Sequence, residues 1–414
     1  MFRPCFCIVT LAATATAFAD EPVDSALERG ELLPPVKLLA NGQPIDTERS
    51  GHAAPFMGDI TGDGKVDLLV GEFFEGRMRY FPNVGTNEAP YFTEPQWFKA
   101  DRKIGRVKEK CWTGFNPQLV DLDNDDRMDV ITVSYHGQIW WFRRRPDGTY
   151  EDKTSLMDTD GEPVNVGYGS GAFAHDWDAD GDLDLLVSIT ARILMVPNEG
   201  DAHRPKFGEA QPVLADGKPI ELALSGPVVA DWDSDGRPDL LAAYEAGGVN
   251  WYRNVGTRKQ PRLQAAQSLI PHSPAPWNDD DARRSDEWGA RAKICVHDWN
   301  NDGLPDILLG DRNGSFTAKP KQSPEEQAEE LRAGVDLQRL QSEWSAAFKE
   351  LRSRSVAEPD DSVGETRQQL LTKLSDLRQQ IKQAEDTVNR YKVQRQAHGN
   401  IWLFLRAASQ HPVE

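Results

Sequence analysis

The sequence predicts an all-β fold of five like units set around an axis, and three observations carry that prediction. A nine-residue acidic loop recurs five times in one register. An apolar strand enters each copy and another leaves it. Successive copies start 62, 55, 55 and 67 residues apart, which is the regularity of a repeated supersecondary unit rather than of isolated turns.

The copies read DITGDGKVD at 59–67, DLDNDDRMD at 121–129, DWDADGDLD at 176–184, DWDSDGRPD at 231–239 and DWNNDGLPD at 298–306. Strands such as Ala172, Phe173 and Ala174 lead into a loop. Runs such as Leu68, Leu69 and Val70, or Ile307, Leu308 and Leu309, lead out. A third, aromatic-rich strand follows at 78–81, 139–142, 193–196 and 249–252. Three units then share an exit turn, NVGTNEAPYF at 83–92, NEGDAHRPKF at 198–207 and NVGTRKQPRL at 254–263. A fourth strand completes the unit, and four strands per unit around an axis make a β-propeller blade. The fifth unit has its third strand at 401–405 and no fourth. Near the other end, PVKLLANGQPID at 35–46 is similar to the fourth-strand segment PVLADGKPIEL at 212–222. The expectation is a five-bladed β-propeller closed by its N-terminal strand.

The acidic loops carry metal chemistry. A hard cation such as calcium takes six to eight oxygens in loose geometry. Side chains at loop positions one, three, five and nine, with the backbone carbonyl at seven, can supply them. These are Asp59, Thr61, Asp63, Lys65 and Asp67 in the first loop, and Asp121, Asp123, Asp125, Arg127 and Asp129 in the second. The third offers Asp176, Asp178, Asp180, Asp182 and Asp184, and the fourth Asp231, Asp233, Asp235, Arg237 and Asp239. The fifth offers Asp298, Asn300, Asp302, Leu304 and Asp306. Position six must turn at positive φ, and Gly64, Gly181, Gly236 and Gly303 suit it. Asp126 stands there in the second loop, and Asp visits that region more readily than most residues. Thr61 is a neutral ligand, so the first site is expected to be the weaker one. Up to five structural calcium ions are expected, since without them each loop crowds three or more carboxylates together.

This pattern resembles the FG-GAP/VCBS repeat family of integrin-α-like calcium-binding propellers, whose loops read DxDxDGxxD. The resemblance covers roughly residues 35–320 and 398–406, and departs from the pattern at Thr61, Asn300 and Asp126. It implies a β-propeller with calcium loops. It also implies a role in adhesion or as an accessory module of polysaccharide-active enzymes.

Residues 1–19 read as a secretory signal, with one basic residue, an apolar stretch and Ala17-Phe18-Ala19 before the cleavage point. The propeller is then expected over 20–322 and 398–414, outside the cytoplasm, secreted or in the periplasm and cell envelope. No later apolar run is long enough to span a membrane. Cys111 and Cys295 fall in different units and read as buried thiols. The formal charge is −19, concentrated in the loops, which argues against nucleic acid as a partner.

Residues 323–397 follow a different pattern. Ser323, Pro324 and Glu326 make a helix start with a capping box. Leu337, Leu340, Trp344, Ala347 and Leu351 recur at helical spacing, and a polar break follows at 357–361. A second helix from about Thr366 carries Leu370, Leu374, Leu377, Ile381, Ala384, Val388 and Tyr391 in alternating steps of four and three. That is a coiled-coil seam, and the short connection implies an antiparallel helical hairpin. It interrupts the last blade between its second and third strands. Loops between second and third strands open on the face opposite the acidic loops, so the hairpin is expected there. Connections bearing Trp112, Trp277 and Trp288 open on the same face.

No catalytic constellation emerges. There is no GxSxG elbow, no HExxH pair and no phosphate loop. His175 and His297 precede first loop aspartates and read as strand residues. Trp177, Trp232 and Trp299 at loop position two alternate away from the ligand side and read as inter-blade core. The favoured function is a binding, adhesion or interaction module for an envelope protein or surface glycan at the hairpin face. Self-association through the hairpin is a further expectation, with Phe348 on a second apolar flank. The alternatives are a lyase-like polysaccharide enzyme and a self-assembling envelope component.

Overall fold

Each acidic loop joins the first and second strands of an antiparallel four-stranded sheet, and five such sheets ring one axis. The computed structural model describes residues 32–47, 51–107, 114–222, 226–273, 287–316, 322–354, 362–390 and 395–407. Blade one is built from Ala53–Gly58, Asp67–Glu72, Arg77–Phe81 and Gln96–Trp97. Blade three, from Gly169–His175, Asp184–Ile189, Arg192–Val196 and Gln211–Pro212, repeats the plan, as do blades two and four. The signal segment, Cys111, Trp112 and Trp277 lie outside the described residues.

The second strands explain why the ring holds. Side chains alternate across a strand, so a blade packed on both sides must be apolar at every position. Leu68 and Val70 face blade five, whereas Leu69 faces blade two. Leu185 and Val187 face blade two, and Leu186 faces blade four. Leu240 and Ala242 face blade three, and Leu241 and Ala243 face blade five. Five apolar clusters result, one at each junction between neighbouring blades. Each fully buried Leu or Val in them contributes roughly 1.5–3 kcal/mol.

Blade five closes the ring as the sequence predicts. Its first three strands are Ala290–His297, Asp306–Phe316 and Ile401–Phe404. Its fourth is Val36–Lys37, with Val36 opposite Leu403 and Lys37 opposite Trp402. The likeness between 35–46 and 212–222 is structural too. In both, a small hairpin follows, Leu39–Ala40 with Gln43–Pro44 and Leu214–Ala215 with Lys218–Pro219. Leu38 and Ile45 enter the cluster between blades five and one.

Between the second and third strands of blade five stand two helices, α1 (Pro324–Arg354) and α2 (Ser362–Arg390). The capping box is formed: Glu326 N–H donates to Ser323 Oγ at 3.2 Å, and Ser323 N–H donates to Glu326 Oε2 at 2.7 Å. Leu340, Ala347, Leu370, Leu377 and Val388 are buried along the seam. Glu329 near the start of α1 meets Arg390 at the end of α2, which fixes the antiparallel sense. α2 starts at Ser362, about one turn before Thr366. One feature has no sequence signal. Asn313, Gly314, Ser315 and Phe316 pair with His398, Ala397, Gln396 and Arg395, so a two-stranded stalk carries the hairpin away from the blade.

Candidate metal loops and the face opposite them

All five loops take one backbone path. Position six lies in the left-handed region at Gly64, Asp126, Gly181, Gly236 and Gly303, with φ from 64° to 105°. Position four does too, at Gly62, Asn124, Ala179, Ser234 and Asn301. Sequence reading missed this second bend, because Ala and Ser do not advertise positive φ; each costs of order 1–3 kcal/mol.

The first aspartate of each loop ties the turn. Asp59 Oδ1 accepts from the Gly62 and Asp63 amides and Oδ2 from Gly64, at 2.6–3.2 Å. Asp121, Asp231 and Asp298 accept from positions five and six in the same way, and Asp176 accepts from Asp180. The carboxylate at position five accepts from the amide at position seven, that of Lys65, Arg127, Asp182, Arg237 or Leu304. These bonds hold side-chain oxygens around a common point.

Three carboxylates converge within 4.8 Å in three loops: Asp121, Asp123 and Asp125; Asp176, Asp178 and Asp180; and Asp231, Asp233 and Asp239. That donor set, all oxygen and mostly charged, fits a hard divalent cation. In the first loop Thr61 takes the middle position, and its Oγ1 donates to Asp59 Oδ1 at 3.4 Å. In the fifth, Asn300 donates to Asp302 at 2.9 Å.

Position nine does more than the sequence suggested. Asp67, Asp129, Asp184, Asp239 and Asp306 are all buried. One oxygen of each accepts an amide just past the third strand: Asn83, Arg144, Asn198, Asn254 and Arg406 in turn. The other oxygen reaches back to the loop at Thr61, Trp177, Trp232 or Trp299, and in blade two to the Trp141 indole. The same asparagines cap the exit turn, as Asn254 Oδ1 accepts from Gly256 and Arg262. Position nine is therefore a clamp between acidic loop and exit turn. Burial pushes these carboxyls up, to about 7 at Asp129 and about 6 at Asp184 and Asp239. Burial and its loop neighbours push Asp182 to about 6.

Two loops also carry built-in cations. Arg143 pairs with Asp123, and Arg253 pairs with Asp233 and Asp235. Arg127 and Arg237 fold back on Asp125 and Asp235. The signal was present in the sequence: Arg143 and Arg253 follow the third strands of blades two and four, where Pro82 and Pro197 stand in blades one and three.

Trp177 and Trp232 are buried between blades, and Trp299 packs edge-on against Phe92. Cys295 is a buried free thiol whose pKa burial raises to about 12. On the opposite face, Trp288 is drawn into the body. Its indole N–H donates to the Gly247 carbonyl at 2.9 Å, and its ring meets Phe404 edge-on. On the hairpin, Leu331, Val335, Phe348 and Leu371 are exposed. Phe348 stacks on Trp344 at 5.1 Å. At about 100° per residue it lies on a different flank from Val335, so these residues make no continuous second stripe. No described helix is long and apolar enough to cross a membrane.

Fold and loops together define a class: a five-bladed β-propeller whose blades each carry an acidic loop after the first strand. The FG-GAP-like repeat family matches residues 121–187 and 231–309, which span loops two to five. No curated protein matches the chain. Among solved structures it is similar to an Agrocybe aegerita lectin that recognises non-reducing terminal N-acetylglucosamine. Identity is 18%, the TM-score 0.34, and the match spans 66% of this chain and 64% of the lectin. It is also similar to the V. cholerae biofilm matrix protein Bap1, at 15% identity and a TM-score of 0.26, over 64% of this chain and 35% of that one.

Proposed function

We propose that the protein is a secreted binding module, stabilised by calcium in its acidic loops, that engages an envelope protein or surface glycan through its hairpin-bearing face. The proposed organisation is a signal peptide over 1–19, a propeller over 20–322 and 398–414, and an inserted hairpin over 323–397. The observation that carries the reading is the separation of two faces. One is committed to acidic loops knitted by their own backbone. The other bears a stalk and two long helices with exposed apolar side chains, which nothing in the propeller core requires.

Affinity capture from envelope and secreted extracts tests this. The full chain and a variant lacking residues 323–397 are compared, each in calcium and in chelator. The expected result is a species held by the full chain in calcium and lost on deleting the hairpin. The same species held equally by both chains would remove the hairpin from recognition.

A further inference from the structure

At the end of the axis away from the acidic loops, the first strands of the blades begin and the second strands end. A recess opens there between blades one, two, three and five. Its enclosed volume is only about 70 Å³, and it opens to solvent, so a ligand would sit partly outside it.

Its wall has two chemistries. On one side the His52 ring stacks on Phe73, with centroids 4.7 Å apart and planes at 22°. Tyr135 meets Phe73 edge-on at 6.2 Å. On the other side stand Arg291 and Lys293, from the first strand of blade five. Arg291 Nη1 lies 3.3 Å from His52 Nε2, and its Nε lies 3.8 Å from the Glu245 carboxylate. Arg312 stands on the paired strand, opposite Ala290 and outside the lining of the recess. Burial, and then Arg291, Arg312 and Lys293, hold His52 well below the usual imidazole range, and burial pushes Lys293 down to about 7.

The backbone is bent to build this wall. His52 and Arg291 both lie in the left-handed region, at φ 63° and 57°. The register of blade five shifts between Ala290 and Lys293, and the Arg291 amide bonds the Glu245 carbonyl at 2.6 Å. Non-glycine residues held at positive φ cost of order 1–3 kcal/mol each, and such strain collects at functional sites.

We propose that this axial recess binds one carboxylate-bearing sugar ring, a uronate at the end of an acidic glycan. Arg291 and Lys293 take the carboxylate, because a guanidinium fork matches its two oxygens. The His52–Phe73 stack and Tyr135 take an apolar face of the ring. The inference rests on reading the protein as a binding module, and it names the glycan class that module would hold.

The test titrates the full chain, in calcium, with D-glucuronate and D-galacturonate by saturation-transfer NMR and calorimetry. Methyl glucoside and inorganic phosphate are the comparison ligands. A uronate is expected to saturate, and Arg291→Gln to weaken it by about tenfold or more. Tyr135→Ala is a second variant, outside the strand bulge, and is expected to weaken the uronate with the melting temperature retained. No saturation by either uronate overturns the proposal, as does unchanged affinity in folded Arg291→Gln and Tyr135→Ala. Phosphate bound as tightly as uronate reduces the recess to a bare anion site and overturns the sugar assignment. Hairpin-dependent capture that survives while uronate binding fails sinks only this inference. Uronate bound without hairpin-dependent capture sinks only the hairpin's role.

Discussion

At the scale of single residues, the nine-residue motif hides two jobs behind one letter. Aspartates at positions one and three converge with position five, or in the fourth loop with position nine, in a set that would suit a cation, whereas those at position nine satisfy amides from two different segments. Asp306 shows the difference. Its oxygens accept from Arg406 at 2.7 Å and Trp299 at 2.9 Å, and it is fully buried. Asp306→Ala leaves a buried donor at Arg406 and a half-buried one at Trp299 without acceptors, and is expected to cost about 2–4 kcal/mol. Urea denaturation in chelator reads this without a metal contribution. The exposed Asp302→Ala should then change stability by under about 1 kcal/mol. Equal losses for the two would mean that position nine has no clamping role. The motif alone could not separate these jobs, since Arg406, one of the two partners of Asp306, lies beyond the hairpin.

At the scale of elements, the hairpin was legible because a helical seam is a local pattern. Steps of four and three place Leu370, Leu377 and Val388 on one stripe whatever the rest of the chain does. The structure buries that stripe against α1. Its seam is self-contained, so hairpin and propeller should melt separately. Leu377→Ala is expected to destabilise the hairpin by about 2–5 kcal/mol. Circular dichroism at 222 nm would follow the helices, and tryptophan fluorescence, dominated by propeller indoles, would follow the blades. A shift in both signals by the same amount would instead mean that hairpin and propeller form one cooperative unit. The stalk of 313–316 with 395–398 was not legible, because its residues carry no strand periodicity and pair only because the helices return the chain to its start.

At the scale of the whole molecule, closure depends on residues near opposite ends of the chain. Val36 and Lys37 complete blade five, Leu33 N–H bonds the Leu405 carbonyl at 2.8 Å, and Leu38 and Ile45 fill the junction with blade one. A chain lacking residues 1–47 exposes the edge of Ile401–Phe404 and part of that junction. It is expected to melt more than about 10 °C lower and to associate through the open edge. Thermal melting and size-exclusion chromatography measure both. An unchanged melting point in a monomeric truncated chain would show that the ring does not need its N-terminal strand.

The amino-acid sequence by itself determined what is written in local periods. These are five repeats, the strand order within each, the left-handed turn at position six, and the seam of the hairpin. Each follows from residues within about one blade of one another, where spacing maps directly onto geometry. The ring decided the rest. Arg291 and His52 meet although 239 residues separate them, Trp288 turns inward to Gly247, and Asp306 clamps Arg406 across the inserted hairpin. Such contacts exist because closing five blades brings distant strand ends to one axis, and the energy that closes them is spread over apolar junctions. No short motif records where those ends will land.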